Sequence, residues 1–177
     1  MAISDDYMPA QKVLHWLVAA LVAVQAGLGL WVAFAAPADE ALAGRLYNAH
    51  DGTGAVILVL MLLRLAVRQL SYVPRPPRGT PRWAVTAAWA NHRAFYLVLI
   101  VQPLLGWLNN GANGYPWSFY GFFDIPSPIG QNETAAALLS RLHLWGAVLL
   151  ALLVVLHLGG VAFHTLVRRD RLLRRML

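Results

Sequence analysis

Four separate stretches of this chain are apolar for long enough to cross a lipid bilayer as helices, and no other feature restricts the fold as tightly. They fall at about 13–36, 50–70, 90–110 and 135–167, against the roughly 20 helical residues that a hydrocarbon core requires. Backbone polar groups in lipid must be satisfied within the chain, so one bundle of helices is the economical arrangement. The composition agrees: of 177 residues, 59% are hydrophobic and 12% charged. The longest connection lies between the third and fourth spans, which leaves no room for a separate soluble domain. The expected architecture is all-α, an integral membrane four-helix bundle forming a single domain over 1–177.

The first span begins after Lys12 and ends in the small-residue stretch AFAAPA, which has the look of a signal-peptide cleavage site. Its apolar run exceeds the 7–15 residues or so of a signal core, so it is expected to remain as a span and to keep His15.

Charge sets the expected orientation. The net charge of +6 is not spread over a polar, aromatic-interleaved face of the kind that binds nucleic acid. It collects instead at Arg68, Arg75, Arg78, Arg82 and Arg93 around the second connection, and at Arg168, Arg169, Arg171, Arg174 and Arg175 after the last span. The other connections carry Asp39, Glu40, Asp51, Asp124 and Glu133 against Arg45 and Arg141. Basic loops stay on the cytoplasmic side, so both termini are expected there. The stretch VPRPPRGTPRW has four prolines in eleven residues and forms a stiff connector, not a helix. The aromatic, turn-rich loop NGANGYPWSFYGFFDIPSPIGQNE is expected to fold back on the bundle at the membrane interface.

The chain has no cysteine, so thiolate metal sites and iron–sulfur clusters are excluded, and a cofactor must hang from histidine or from noncovalent contacts. Histidines are present inside the spans, where ionisable groups are expensive and point to function. His143 and His157 are fourteen residues apart on the fourth span. That step leaves them about 40° apart in rotation and about 21 Å apart along the axis, on one face near opposite membrane surfaces. His15 opens the first span at the cytoplasmic depth and His50 opens the second at the outer depth. The pairs this predicts are His15 with His157 and His50 with His143. Two opposed imidazoles inside a helical bundle suit a six-coordinate haem iron, which favours electron transfer over oxygen binding. Zinc would require three or four clustered ligands, and the two depths separate these residues too far. A nonredox bundle whose histidines only pack or bind zinc is the competing reading, and it would lack b-type absorption bands.

Other residues admit two uses each. Arg64, fourteen after His50, lies near the inner pair and suits a haem propionate or a snorkelling position. Gly27, Gly29, Gly52, Gly54, Gly159 and Gly160 allow either a macrocycle or a neighbouring helix to come close.

LHW opening the first span, HDGTGAVILVLMLLRLAVR in the second, YPWSFYG in the last loop, and LHLW followed by LHLGGVAFH in the fourth span resemble the bacterial cytochrome b561 family over essentially the whole chain. The resemblance implies a bacterial inner-membrane cytochrome with two haem b groups, ligated by His15, His50, His143 and His157. It further implies a superoxide oxidase, a superoxide:ubiquinone oxidoreductase that takes electrons from periplasmic superoxide and passes them to ubiquinone. Superoxide is an anion, so Arg141 and Arg45 beside the outer ligands are candidates for attracting it. Trp117 matches the family's loop aromatic and would line the outer pocket or anchor the loop. Quinone reduction needs a proton donor, for which His92, Arg93 and His164 remain. The alternative is an electron-carrying subunit that links a periplasmic hydrogenase or dehydrogenase partner to the quinone pool.

Overall fold

The computed structural model describes residues 6–35 and 38–177. Ala36 and Pro37, part of the cleavage-like stretch that ends the first span, lie outside the described residues. The chain forms α1 (Pro9–Phe34), α2 (Glu40–Leu70), α3 (Arg82–Ala112), a hairpin of β1 (Trp117–Phe119) and β2 (Phe123–Ile125), and α4 (Glu133–Ala162). A π-helical turn, Phe163–Arg168, extends α4, and a 3-10 turn follows at Leu172–Met176.

Each helix starts where local chemistry favours it. Pro9 occupies the first turn of α1, where its missing N–H costs nothing. The Asp39 carboxylate accepts from the amides of Ala41 and Leu42 at the start of α2, and Asn132 accepts from Ala135 at the start of α4. The proline-rich connector interrupts the helix after Leu70, and α3 resumes at Arg82. That start is about two turns earlier than the expected span, and α2 likewise begins at Glu40, ten residues before the expected 50, because helical hydrogen bonding continues beyond the segment that hydrocarbon requires.

All four helices are long and apolar enough to span a bilayer, with mean hydropathy between 1.2 and 2.4 over the best window of each. Most of their large side chains, including Val24, Leu63, Leu97, Leu152 and Val155, face outward, as lipid-facing surfaces do in a multi-pass membrane protein. The close helix pairings are α1 with α2, α2 with α3 and α3 with α4. Their shared core is a layer made of Val18, Ile57, Met61 and Leu99, with Phe95, Ile100 and Leu150 packed against it. Met61 is fully enclosed. This dry layer lies midway along the bundle and separates two polar levels.

The aromatic loop folds back on the bundle, and part of it is regular. β1 and β2 pair antiparallel with Ser118 opposite Asp124, and β1 lies against α2. The turn places Tyr120 and Gly121 at φ of 53° and 78°. Tyr120 tolerates that left-handed backbone because its ring is clamped. It lies flat over Gly52, where an added Cβ would sit 2.5 Å from the ring, and its hydroxyl meets Thr53 Oγ1 at 3.0 Å.

The arginine-rich end is tied together by the C-terminal segment. Trp16 Nε1 in α1 donates to the Met176 carbonyl at 2.9 Å, and the Arg175 guanidinium donates to the Arg75 carbonyl at 2.9 Å. Arg168 donates to the carbonyls of Gly79 and Arg78 in the proline-rich connector.

Candidate functional site

The bundle brings the histidines together in the two pairs expected from their spacing. At the arginine-rich end, which we call the basic end, the rings of His15 in α1 and His157 in α4 face each other with centroids 6.1 Å apart. At the far end His50 in α2 and His143 in α4 face each other at 6.2 Å. A metal–imidazole bond is about 2.0 Å, and with about 1.1 Å from nitrogen to ring centre, one metal between two imidazoles needs centroids roughly 6 Å apart. Both pairs meet that spacing. Among the described residues no group of three or more histidine, cysteine or acidic side chains is placed to hold a metal ion. The sites therefore suit an ion that brings its own equatorial ligands, as haem iron does.

Two further observations at the far end agree with a haem. The Nδ1 atoms of His50 and His143 are buried without hydrogen-bond partners. Both rings also rest against glycines of the neighbouring helix. A Cβ at Gly29 would lie 3.3 Å from His50 Cε1, and one at Gly106 would lie 3.3 Å from His143 Cε1. A small cavity beside them is lined by Gln25, Asp51, Pro103 and Trp117 as well as the two histidines. Trp117 is buried and stacks on Trp107, so it lines this level and is not exposed as an interfacial anchor. Asp51, expected among the charges of an outer connection, lies instead within α2, where Asn110 Nδ2 holds it at 2.8 Å.

At the basic end, Arg64 reaches the level its spacing implies. Its Nη2 lies 3.1 Å from His15 Nδ1, and its guanidinium lies over the Tyr96 ring. Of the glycines, Gly29, Gly52 and Gly54 pack against side chains, whereas Gly27, Gly159 and Gly160 face open space.

The three residues considered for the quinone fall in different surroundings. His92 is ten residues into α3, not at its end, and its ring lies 5.5 Å from that of His157. Arg93 is exposed and stacks on Trp89 at 4.1 Å. His164 is buried in the π-helical turn, about 10 Å beyond His157 along the helix. Its Nδ1 is 2.7 Å from Asp170 Oδ2, the oxygen that Arg168 Nε also reaches at 2.9 Å. Partial burial pushes the Asp170 carboxyl up, but hydrogen bonds from His164, Arg168 and the Leu172 amide outweigh it and hold the group below its usual value. At the opposite surface Arg141 is exposed and shares an open hollow with Glu133, Thr134, Ala137 and Leu138. Arg45 is exposed as well.

Sequence reasoning assigned roles within the expected spans to the histidines and to Arg64, Arg93 and Arg141. It passed over Gln25 and Gln102, although an amide in an apolar span carries the same signal.

A membrane-spanning four-helix bundle with opposed histidines at two levels defines a membrane cytochrome of the b type. The profile of the family described as prokaryotic cytochrome b561 matches residues 6–177. The chain is 31% identical to cytochrome b561 homolog 2 of Escherichia coli K12, over 98% of this chain and 92% of that protein. It is 30% identical to cytochrome b561 homolog 1 of the same organism, over 98% and 97% respectively. It is also 29% identical to cytochrome b562 of Cereibacter sphaeroides, over 100% and 98%. The chain belongs to the prokaryotic cytochrome b561 family, whose members bind haem b and transfer electrons within the membrane.

Proposed function

We propose that this protein is a dihaem oxidoreductase of the bacterial inner membrane that oxidises periplasmic superoxide to dioxygen and reduces ubiquinone. The observation that carries the proposal is the presence of two histidine pairs, each spaced for one iron, at two levels of the bundle. In this reading His15 and His157 hold one haem b, and His50 and His143 hold the other. The basic end faces the cytoplasm and the far end the periplasm. Haem iron, when bound, supplies a one-electron carrier at each level. Overall, two superoxide anions lose one electron each and leave as dioxygen, while ubiquinone takes up both electrons and two protons to become ubiquinol.

The chain's own residues have separable tasks. His50 and His143 would both be used in holding the far-end haem, which would supply a one-electron acceptor for superoxide without binding it as a ligand. Arg141 and Arg45 attract the anion locally, opposed by Glu133 in the Arg141 hollow and by Asp51 nearer the histidines. Trp117 shields the far-end level from water. At the cytoplasmic surface a quinone headgroup lies beside His164 and is served by His92, whose ring packs against that of His157, and by Arg93, exposed on α3. Asp170 accepts from His164 Nδ1, which leaves Nε2 as the atom that handles the proton for the quinone oxygen.

Stopped-flow mixing of the purified, haem-loaded protein with superoxide tests the assignment. Fast haem reduction followed by quinone-dependent reoxidation is expected. Inertness toward superoxide would overturn it and favour an electron-carrying subunit for a periplasmic hydrogenase or dehydrogenase. The superoxide rate should fall with salt, and an Arg141→Ala variant with an unchanged rate would remove that residue from the role.

A further inference from the structure

The same local arrangement occurs twice at the far end. In α1, Gln25 and Gly29 are one turn apart and face His50; in α3, Gln102 and Gly106 are one turn apart and face His143. Gln25 Nε2 donates to the backbone carbonyl of His50 at 3.1 Å, and Gln102 Nε2 donates to that of His143 at 2.9 Å. Each glutamine lies against a glycine one turn past the histidine it serves. Gly54 is 3.5 Å from Gln25 Nε2 when given a Cβ, and a Cβ on Gly146 would collide with the Gln102 amide. The glycines at 29 and 106 let the rings come in at matching poses, with Nδ1 at 3.8 and 3.7 Å from the respective Cβ positions. Two helix pairs thus present one Gln-x-x-x-Gly motif to one histidine each.

The chemistry of the loose ends is complementary. A carbonyl only accepts, so the amide must turn its NH2 toward the histidine backbone and its oxygen away. Oε1 of Gln25 and Oε1 of Gln102 are both buried without a partner, as are Nδ1 of His50 and Nδ1 of His143. A histidine that binds metal through Nε2 carries its proton on Nδ1 and donates it to a neighbour that fixes the ring. At each far-end ligand one buried Nδ1 and one buried glutamine Oε1 are thus left without a partner.

The basic end is built differently. There the neighbour of His15 Nδ1 is the Arg64 guanidinium, a donor and a cation, and among the described residues no glutamine side chain hydrogen-bonds to the backbone of either histidine.

We propose that Gln25 and Gln102 are the positioning residues of the far-end haem, each holding its histidine by the backbone and accepting the Nδ1 proton at Oε1 when iron is bound. An accepted proton makes imidazole a stronger donor to iron and favours the oxidised state, whereas a nearby guanidinium favours the reduced state. The far-end haem therefore has the lower potential, and electrons run downhill toward the basic end. The inference rests on the bis-histidine reading of the proposed function.

Redox titration and electron paramagnetic resonance of the purified haem-loaded protein test it. Gln102→Met keeps the volume but removes the acceptor, and should raise the midpoint of the lower-potential component and alter one low-spin ferric signal. Gln102→Glu should shift the same midpoint down. The other component should not move in either variant. Unchanged midpoints and signals in a variant that still binds two haems would overturn the proposal, even if its thermal stability falls. Should neither variant accumulate, wild-type protein with 13C in its glutamine side-chain carbonyls decides. Its redox-difference infrared spectrum should contain a label-sensitive amide band, and absence of that band overturns the proposal. A wild-type protein without b-type bands would instead sink the bis-histidine reading itself.

Discussion

His143 and His157 occupy one helix but belong to different partners, so each can be removed without touching the other's pair. His143→Ala should reduce haem content from two equivalents to one, with the remaining spectrum that of the basic-end haem. Pyridine haemochrome quantitation against protein mass measures this, and loss of both haems would show that the two levels are not independent. A second residue-level expectation concerns Asp170, which receives His164 Nδ1 and Arg168 Nε on one oxygen. Its carboxyl is held below the ordinary value of 3.8 in the folded protein. The stabilisation is therefore complete above the unfolded carboxyl value and is lost as pH falls through the lower folded one. Asp170→Asn should lower thermal stability in detergent at pH 7, and the gap to wild type should close below about pH 4. A gap that stayed constant down to acid pH would mean that the charge is not what matters.

Among the elements, the hairpin depends on one glycine. Tyr120 sits with positive φ because its ring covers Gly52 and its hydroxyl reaches Thr53. Gly52→Ala must push the ring away, at a cost of about 1–3 kcal/mol if the site repacks only in part. The expected result is a lower melting temperature together with a far-end haem more open to water, seen as faster reduction by a small hydrophilic reductant, while the basic-end haem is unaffected. This dependence was not visible in the sequence, and the reason is physical. Strands of three residues are too short for a period-two pattern, and which aromatic meets which glycine depends on how the loop returns to α2. The four helices were legible because run length and hydropathy decide them locally. Helix starts were less so: α3 begins at Arg82 because helical hydrogen bonding continues past the apolar segment into the interface. The histidine levels were legible because a fourteen-residue step is a property of one helix. Gln25 and Gln102 were not matched to His50 and His143, because that match is between helices and depends on their relative height. Asp170 joins His164 only through the π-helical turn, which no residue pattern announces.

For the whole molecule, the decisive quantity is the distance between levels. His143 and His157 are about 21 Å apart along α4, roughly 0.7 of a 30 Å hydrocarbon core. The layer of Val18, Ile57, Met61 and Leu99 keeps that interval dry, so an electron that moves from one level to the other crosses most of the membrane field. One charge across the full thickness is worth about 2.3 kcal/mol per 100 mV, so this step is worth about 1.6 kcal/mol. With the basic end inside, an interior-negative potential opposes inward electron movement. Imposing 100 mV on vesicles whose protein has its C terminus in the lumen should shift the electron distribution about 15-fold toward the far-end haem. A potassium diffusion potential sets the voltage, and the two spectral components report the distribution under partial reduction. A distribution indifferent to voltage would place both levels at one depth, and a shift of opposite sign would mean that the spectral component assigned to the basic-end haem belongs to the far end.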